Sequence, residues 1–251
     1  MIFCMAMCLA LVGMSQTDAG SYENWFQSGN LAYNTGNYDQ ALAVYNKIID
    51  AGLESAPLYY NMGNTYYKMK EYPMAILYYE KALKLDPGNE DARVNLEIAN
   101  LAIVDKITPV PQSFIKKGWN GLKSRLSADG WAWVSVAAFG LLLLCLYLFL
   151  MSRRMGWRKT GFFAGLLALL CLGFSVAFAI DKYLDLQHQD EAIIMTPTVT
   201  VKSSPNDSSV DLFVLHEGTK VRLLDNAENW NKVKIPDGSE GWLPASDMIA
   251  F

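Results

Sequence analysis

Between residues 22 and 104, apolar side chains recur every three or four positions, which is the spacing of one face of an α-helix. Two such stretches flank the polar segment KMKEYP, and Asp86-Pro87 follows the second. Because proline cannot continue a helix, the pattern predicts a helix hairpin that ends there. The positions predicted to lie on the contacting faces of this hairpin are Tyr59, Met62, Gly63, Tyr66, Ala75, Tyr79 and Ala82.

The same hairpin pattern occurs one period earlier in the chain. Gly29 precedes Gly63 by 34 residues, and Tyr45 precedes Tyr79 by the same distance. A helix-turn-helix unit of this period resembles the tetratricopeptide repeat (TPR). The resemblance implies stacked helical hairpins, with small residues where paired helices approach closely and most tyrosines packed between them. The segment ARVNLEIANLAI has Glu97 where the glycine belongs, and it is predicted to be a capping helix with a wettable outer side.

The first helices of successive TPR hairpins line a groove that binds partners. The register set by Gly29 and Gly63 assigns eight residues to this groove: Phe26, Asn30, Tyr33, Asn34, Tyr60, Asn64, Tyr67 and Lys68. Asn30 and Asn64 are equivalent and resemble part of the carboxylate clamp of some TPR domains. Their amides are expected either to bind a peptide backbone through two hydrogen bonds or to satisfy local backbone groups. Since Phe26 and Asp91 stand where the clamp has lysines, we expect an internal peptide or a partner helix.

Two long segments, 131–151 and 161–180, contain no charged residue. Each is long enough to cross the hydrocarbon core of a bilayer as a helix, so we predict two transmembrane helices. The loop between them, 152–160, carries Arg153, Arg154, Arg158 and Lys159. The positive-inside rule assigns this basic loop to the cytoplasm.

Residues 1–15 contain a short apolar run followed by Gly13 and Ser15, which is typical of a secretory signal peptide. A signal peptide and an even number of spans predict that both flanking domains lie outside the cytoplasm.

The segment 105–130 contains an apolar stripe beside basic residues. This amphipathic linker is expected either to lie in the membrane interface, near anionic lipid headgroups, or to pack on the protein. Its apolar positions are Ile115, Trp119, Leu122 and Leu126.

After a linker at 181–191, the period of the pattern changes from 3.6 to 2, which indicates short β-strands across 192–251. The segment resembles the bacterial SH3-like domain, including a Gly-Thr before a strand, Trp230 and the Gly241-Trp242 pair. The resemblance implies a small all-β barrel. Trp230 and Trp242 are expected either to form its ligand surface, with peptidoglycan as a candidate ligand, or to belong to its core or rim.

The charge distribution and the chemistry of the side chains narrow the function. Net charge is −4 over residues 22–104, +7 over 105–180 and −6 over 181–251, and acidic flanks around a basic membrane region argue against a nucleic-acid partner. His188 and His216 are expected to be solvated, and no metal-ligand spacing accompanies them. We therefore predict no metal, no cofactor and no enzymatic activity.

The predicted fold class is a multidomain membrane protein with TPR hairpins, two transmembrane helices and an SH3-like barrel. This order of segments is similar to that of the BatE-like proteins of the bacterial aerotolerance (Bat) operon. That resemblance implies a bacterial inner (cytoplasmic) membrane location with both flanking domains facing the periplasm. It also implies membrane partners with von Willebrand A domains and a role in tolerance of oxidative stress. The residues themselves predict a membrane-anchored scaffold that binds a protein or peptide, and the alternative is an envelope tether or sensor that binds peptidoglycan.

Overall fold

The computed structural model describes residues 16–108, 110, 113–123, 125–187 and 190–251. The predicted signal peptide, residues 1–15, lies outside this part of the chain. Within the described residues the chain forms eight α-helices: α1 Gln16–Asn34, α2 Tyr38–Asp50, α3 Ala56–Lys68, α4 Tyr72–Leu85, α5 Glu90–Asn100, α6 Phe114–Lys123, α7 Ala128–Met151 and α8 Met155–Gln187. Seven strands follow: β1 Glu191–Ile194, β2 Thr198–Lys202, β3 Asp211–His216, β4 Lys220–Ala227, β5 Trp230–Lys234, β6 Glu240–Pro244 and β7 Met248–Ala250.

Helices α1 to α4 form the two predicted hairpins, α1 with α2 and α3 with α4. Helix α3 begins after Ser55, whose hydroxyl accepts a hydrogen bond from the Leu58 amide at 3.3 Å. Gly63 allows α3 and α4 to approach closely, because a Cβ at this position would lie 2.6 Å from the Tyr79 ring. Gly29 has the same relation to Tyr45 in the first hairpin. The buried tyrosine rings therefore fill the space that each glycine leaves open.

Helices α7 and α8 pack against each other as an antiparallel pair. The seam between them contains a hydrogen bond between the hydroxyls of Ser135 and Ser175 at 2.9 Å. Both helices are long and apolar enough to cross a membrane. In the most apolar 18-residue segment of each helix, only 11% and 17% of the segment is buried inside the protein. A core helix of a soluble protein would be mostly buried, so these two helices present their apolar side chains outward.

The second long helix is longer than predicted at both ends. It begins at Met155, so the predicted loop 152–160 is shortened to 152–154, and it continues to Gln187 through most of the predicted linker 181–191. Arginine, lysine and leucine have good helix propensity, and no proline interrupts these residues. The helix thus continues beyond its uncharged centre, at both ends, into segments that contain charged residues.

The amphipathic linker forms α6, which packs on the end of the long helix pair. The indole of Trp119 meets the ring of Phe178 edge-on, with the ring centroids 4.9 Å apart, and Phe174 lies at 6.0 Å. Lys123 forms an ion pair with Asp181. Phe114 at the start of the helix is 84% exposed. One side of α6 therefore contacts α8, while an apolar end remains uncovered by the described residues.

The strands form one antiparallel sheet in the order β3-β2-β6-β5-β4-β1-β7. Alternate side chains face a compact core that includes Val201, Val233 and Leu243, all fully buried. Strands β3 and β7 lie at the two ends of this order. The sheet agrees with the predicted small all-β domain.

The sheet domain docks against the helical repeats rather than standing apart from them. Ile193 of β1 and Phe251 join a buried cluster with Ala75, Ile76 and Leu77 of α4. At the edge of this cluster, the Lys220 ammonium lies 2.9 Å from the Glu80 carboxylate and 2.8 Å from that of Glu191. Although burial disfavours the charged ammonium, these two carboxylates outweigh it and raise the pKa of Lys220.

Asp105 forms a second link between the helical repeats and the sheet. Its carboxylate accepts hydrogen bonds from the His216 amide at 2.8 Å and the Thr219 hydroxyl at 2.7 Å, and His216 Nδ1 lies 2.8 Å away. Burial opposes ionisation, but these donors outweigh it and lower the pKa of Asp105. The expectation that His216 is solvated was wrong, because its ring contacts the Asp105 carboxylate. The sequence pattern did not indicate this contact, since the two residues are 111 positions apart. His188 lies outside the described residues.

Candidate partner-binding groove

A cavity of about 310 Å³ opens between α1, α3 and α5. Most of its lining comes from first helices of the hairpins, with one tyrosine contributed by α4. We call this surface the groove, and its lining residues are Tyr33, Tyr60, Asn64, Tyr67, Lys68, Tyr79, Asn95 and Ile98. Five of these eight belong to the set predicted from the sequence.

Three predicted groove residues lie outside the lining of this cavity. Phe26 is half-buried, and its ring centroid lies 6.3 Å from that of Tyr45. Asn30 is half-buried and accepts a hydrogen bond from the Tyr45 hydroxyl, and Asn34 is exposed at the end of α1. The structure thus concentrates the cavity on the second hairpin and the capping helix.

Asn30 holds two hairpins together through its side-chain oxygen. Oδ1 accepts a hydrogen bond from the Tyr45 hydroxyl at 2.8 Å and another from Asn61 Nδ2 at 2.8 Å. Tyr45 belongs to the same hairpin as Asn30, whereas Asn61 belongs to the next. One amide oxygen therefore joins the two helices of a hairpin and the hairpin that follows.

Asn64 repeats this arrangement one period later. Its Oδ1 accepts from the Tyr79 hydroxyl and from Asn95 Nδ2, both at 2.8 Å. Asn95 Nδ2 also lies 3.4 Å from the Tyr60 hydroxyl. An amide oxygen has two lone pairs, so both acceptor sites of Asn64 are already used.

These contacts change what the two asparagines offer to a partner. The expected bidentate contact needs both the oxygen and the nitrogen of the amide, but the oxygens of Asn30 and Asn64 are engaged within the protein. The alternative expectation, that these amides form hydrogen bonds within the protein, describes them better. Their hydrogen-bond partners are side chains rather than the expected backbone groups. Asn64 lines the groove, and its Nδ2 group has no hydrogen-bond acceptor among the described residues.

The buried tyrosines of this network remain protonated. Burial raises the pKa of Tyr45 to about 12. Burial also raises the pKa of Tyr79, and the neighbouring phenols of Tyr60 and Tyr33 act in the same direction. Both hydroxyls can therefore donate to the asparagine oxygens across the whole physiological pH range.

Lys68 is the only charged residue among those that line the groove. Within the described part of the chain, no carboxylate lies within ion-pair distance of its ammonium. The remaining surface is dominated by tyrosine rings, which provide large, rigid contact areas with a polar end. The groove is thus suited to a protein segment that offers apolar anchors and hydrogen-bond acceptors.

The sequence prediction missed Tyr79, Asn95 and Ile98 as lining residues. Tyr79 had been assigned to packing alone. The periodicity could have indicated Asn95, since Asn61 precedes it by one repeat of 34 residues. Helix α5 also departs from the expected wettable surface, because Val94 and Ile98 on one side, and Leu101 just after its end, are exposed.

Trp230 and Trp242 lie on the side of the β5–β6 hairpin opposite the sheet core. Val233 and Leu243 point into that core, so residues an odd number of positions away point outward. Trp242 pairs across strands with Lys202 and Lys232. Both indoles are half-buried, and the two lysines pair with carboxylates, Lys202 with Asp211 and Lys232 with Glu240.

Among the described residues, no group of three or more histidine, cysteine, aspartate or glutamate side chains is placed to hold a metal ion. The contacts of His216 and Asp105 hold the sheet against the helical repeats.

Two segments of the chain match family models of the tetratricopeptide repeat, residues 22–51 and residues 56–89. These segments contain the two hairpins α1–α2 and α3–α4, so the predicted TPR repeats are confirmed. No curated protein matches the chain.

Proposed function

We propose that this protein is a membrane-anchored scaffold that binds a partner protein through the groove. TPR repeats are protein-interaction modules, and the observation that carries the proposal is the cavity of about 310 Å³ between α1, α3 and α5. Tyr33, Tyr60 and Tyr67 provide its aromatic surface. Lys68 and the Asn64 amide nitrogen provide donors for the carbonyl or carboxylate groups of an internal segment of the partner.

Helices α7 and α8 serve as the membrane anchor. Their outward apolar side chains need a hydrocarbon environment, because a monomer in water rarely exposes so large an apolar surface. Two spans return the chain to the side from which it entered. The contacts of Lys220 with Glu80 and of Asp105 with His216 support this topology, since they require both flanking domains to share one side.

The proposed orientation has residues 16–130 and 181–251 outside the cytoplasm, after removal of the signal peptide. The basic turn between α7 and α8 then faces the cytoplasm of a bacterial cell. From the resemblance to BatE-like proteins, we further propose that the partner is a membrane protein with a von Willebrand A domain and that the complex supports tolerance of oxidative stress.

Affinity capture tests the groove. The full chain, solubilised in detergent from membranes of its source organism, is compared with a variant carrying Tyr33→Ala, Tyr67→Ala and Lys68→Ala. None of these three side chains forms a hydrogen bond with another side chain in the described part of the chain, but the rings of Tyr33 and Tyr67 pack against Tyr38 and Tyr72. Circular dichroism therefore first establishes that the variant is folded. Loss of a tyrosine anchor from a binding surface costs about 2 kcal/mol, so capture of the partner should fall roughly tenfold or more.

The matched control carries three alanine substitutions at exposed positions of α2: Asn46→Ala, Lys47→Ala and Asp50→Ala. It should capture as much partner as the unmodified chain. Equal capture by the groove variant, with unchanged circular dichroism, would show that the partner binds elsewhere.

A second candidate function is an envelope tether or sensor that binds peptidoglycan through the sheet domain, which we propose to be SH3-like. The outward position of Trp230 and Trp242, beside Lys202 and Lys232, supports this candidate. Purified full chain should then co-sediment with cell-wall sacculi, and Trp230→Ala with Trp242→Ala should abolish sedimentation. Failure of the unmodified chain to sediment would remove this candidate.

A further inference from the structure

We propose that the turn joining α7 and α8 is a binding site for anionic phospholipid headgroups. The inference rests on the proposed membrane anchor but concerns a different surface from the groove. Arg153 and Arg154 lie in the turn itself, and Arg158 and Lys159 follow at the start of α8, so four cations occur within seven residues. All four are exposed.

No protein carboxylate is available to neutralise this turn. The sequence between Asp129 and Asp181 contains no aspartate or glutamate, and none of the four cations forms an ion pair among the described residues. The opposite end of the helix pair differs, because Lys123 there pairs with Asp181. The positive charge of these four residues is therefore available to an anion from outside the chain.

The side chains around the turn are typical of the zone that lipid headgroups occupy. The Arg158 guanidinium lies 5.6 Å from the centre of the Phe149 ring, which holds the cation at the boundary of the apolar seam. Trp157 is 53% exposed beside it, and indoles favour the zone between headgroups and acyl chains. The cations thus lie at the level where lipid phosphates occur.

The chemistry selects an anionic lipid over a zwitterionic one. A guanidinium can bind two phosphate oxygens at once, and three of the four cations are arginines. In a phosphatidylcholine headgroup the choline cation offsets the phosphate charge, whereas in phosphatidylglycerol the phosphate is uncompensated. Each basic residue near an anionic surface strengthens binding.

Quenching of Trp157 fluorescence by brominated lipid measures this preference. The full chain and a Trp157→Phe variant are reconstituted in phosphatidylcholine vesicles that contain equal mole fractions of dibrominated phosphatidylglycerol or dibrominated phosphatidylcholine. The difference between the two proteins is the signal of Trp157. We expect phosphatidylglycerol to quench this signal with roughly fivefold higher relative affinity, and about 1 M salt, which shortens the Debye length to about 3 Å, should weaken the preference.

Variants of the turn separate charge from fold. Replacement of all four cations by glutamine should make the two lipids quench equally, whereas Arg153→Lys, Arg154→Lys and Arg158→Lys should retain most of the preference. A control with Lys47→Gln, Lys70→Gln and Lys106→Gln, at exposed positions of the helical repeats and the segment that follows them, should behave like the unmodified chain. Free phosphate at millimolar concentration should leave the quenching unchanged, because the site is a lipid site.

Two results would overturn the proposal in distinguishable ways. Equal quenching of Trp157 by both lipids in the unmodified chain would reject the headgroup site while leaving the membrane anchor in place. Quenching by neither lipid would show that the turn does not reach a bilayer, which would contradict the anchor as well.

Discussion

At the scale of single residues, the repeat is held together by one recurring contact set, a tyrosine and an asparagine that both donate to an asparagine oxygen. The set Tyr79, Asn64 and Asn95 has the same distances as its counterpart one repeat earlier. The Asn64 oxygen was predicted to contact a ligand, but it joins helices of the protein instead. The groups that remain for ligand binding are the tyrosine rings, Lys68 and the Asn64 amide nitrogen. The groove and the stack therefore share residues.

Removal of one hydroxyl from this set should weaken the helical repeats. Tyr79→Phe keeps the ring but deletes the donor to Asn64, and loss of one such hydrogen bond costs about 1 kcal/mol. Tyr72→Phe is the matched control, because the Tyr72 hydroxyl makes no side-chain hydrogen bond among the described residues. Thermal unfolding by circular dichroism should show a lower Tm for Tyr79→Phe alone, and equal midpoints would show that the contact has no net value.

Gly63→Ala tests the close approach of α3 and α4. Its methyl group would meet the Tyr79 ring at 2.6 Å, so the ring or the helix must move. Overpacking of this kind costs about 1–3 kcal/mol, even though alanine favours a helix more than glycine does. Gly118→Ala in α6, where a methyl group meets nothing within 4 Å, should be neutral or slightly stabilising. A higher Tm for Gly63→Ala than for the unmodified chain would refute the packing described here.

At the scale of elements, the spacing of apolar residues in the sequence predicted the helices of the repeats. It did not predict contacts between residues that are far apart in the sequence. The TPR hairpins follow from spacings of three and four residues, and most of the groove follows from their register. The docking of the sheet on α4 was not predicted, because Lys220 and Glu80 are 140 residues apart and neither lies in a distinctive local pattern. The end of the loop at Met155 was missed for another reason, since basic residues are compatible with both a loop and a helix.

Asp105 should make the contact between repeats and sheet sensitive to acid. Its pKa is lowered in the folded protein, so the ionised form stabilises the fold. This contribution is present above the ordinary aspartate pKa of about 3.9 and is lost as the pH falls through the lower folded value. Asp105→Asn should cost about 1–3 kcal/mol at pH 7.

The difference in Tm between Asp105→Asn and the unmodified chain should shrink as the pH falls below the ordinary aspartate pKa of about 3.9 and the native carboxylate becomes protonated. Asp207→Asn, at an exposed position of the sheet domain, is the control and should shift the midpoint little at any pH. A difference for Asp105→Asn that stays constant with pH would mean that its charge does not stabilise the docked arrangement.

At the scale of the whole molecule, the helical repeats and the sheet form one connected body. The repeats end in α5, for which the described residues provide no paired second helix, and the sheet residues Ile193 and Phe251 cover the adjoining apolar surface. The groove remains open while the outer side of α4 is covered. This arrangement presents the groove to a partner at a fixed place relative to the proposed membrane anchor.

Protease treatment of intact spheroplasts tests the proposed topology. Because the two domains are docked and two spans connect them, protease added outside should digest both domains and leave a protected fragment that contains α7 and α8. A cytoplasmic marker protein should stay intact as the control. Survival of both domains until the membrane is broken would invert the orientation.

Site-specific photo-crosslinking in living cells tests the central claim, that the groove is the surface that binds the partner. A benzoyl-phenylalanine placed at Tyr33 or Tyr67 replaces one aromatic side chain by another and leaves the asparagine network in place. The same probe at Lys47, exposed on α2 and outside the groove, is the control. We predict that light produces one covalent adduct with the same partner from positions 33 and 67 and none from position 47. An adduct from position 47 alone, or from none of the three, would contradict the account.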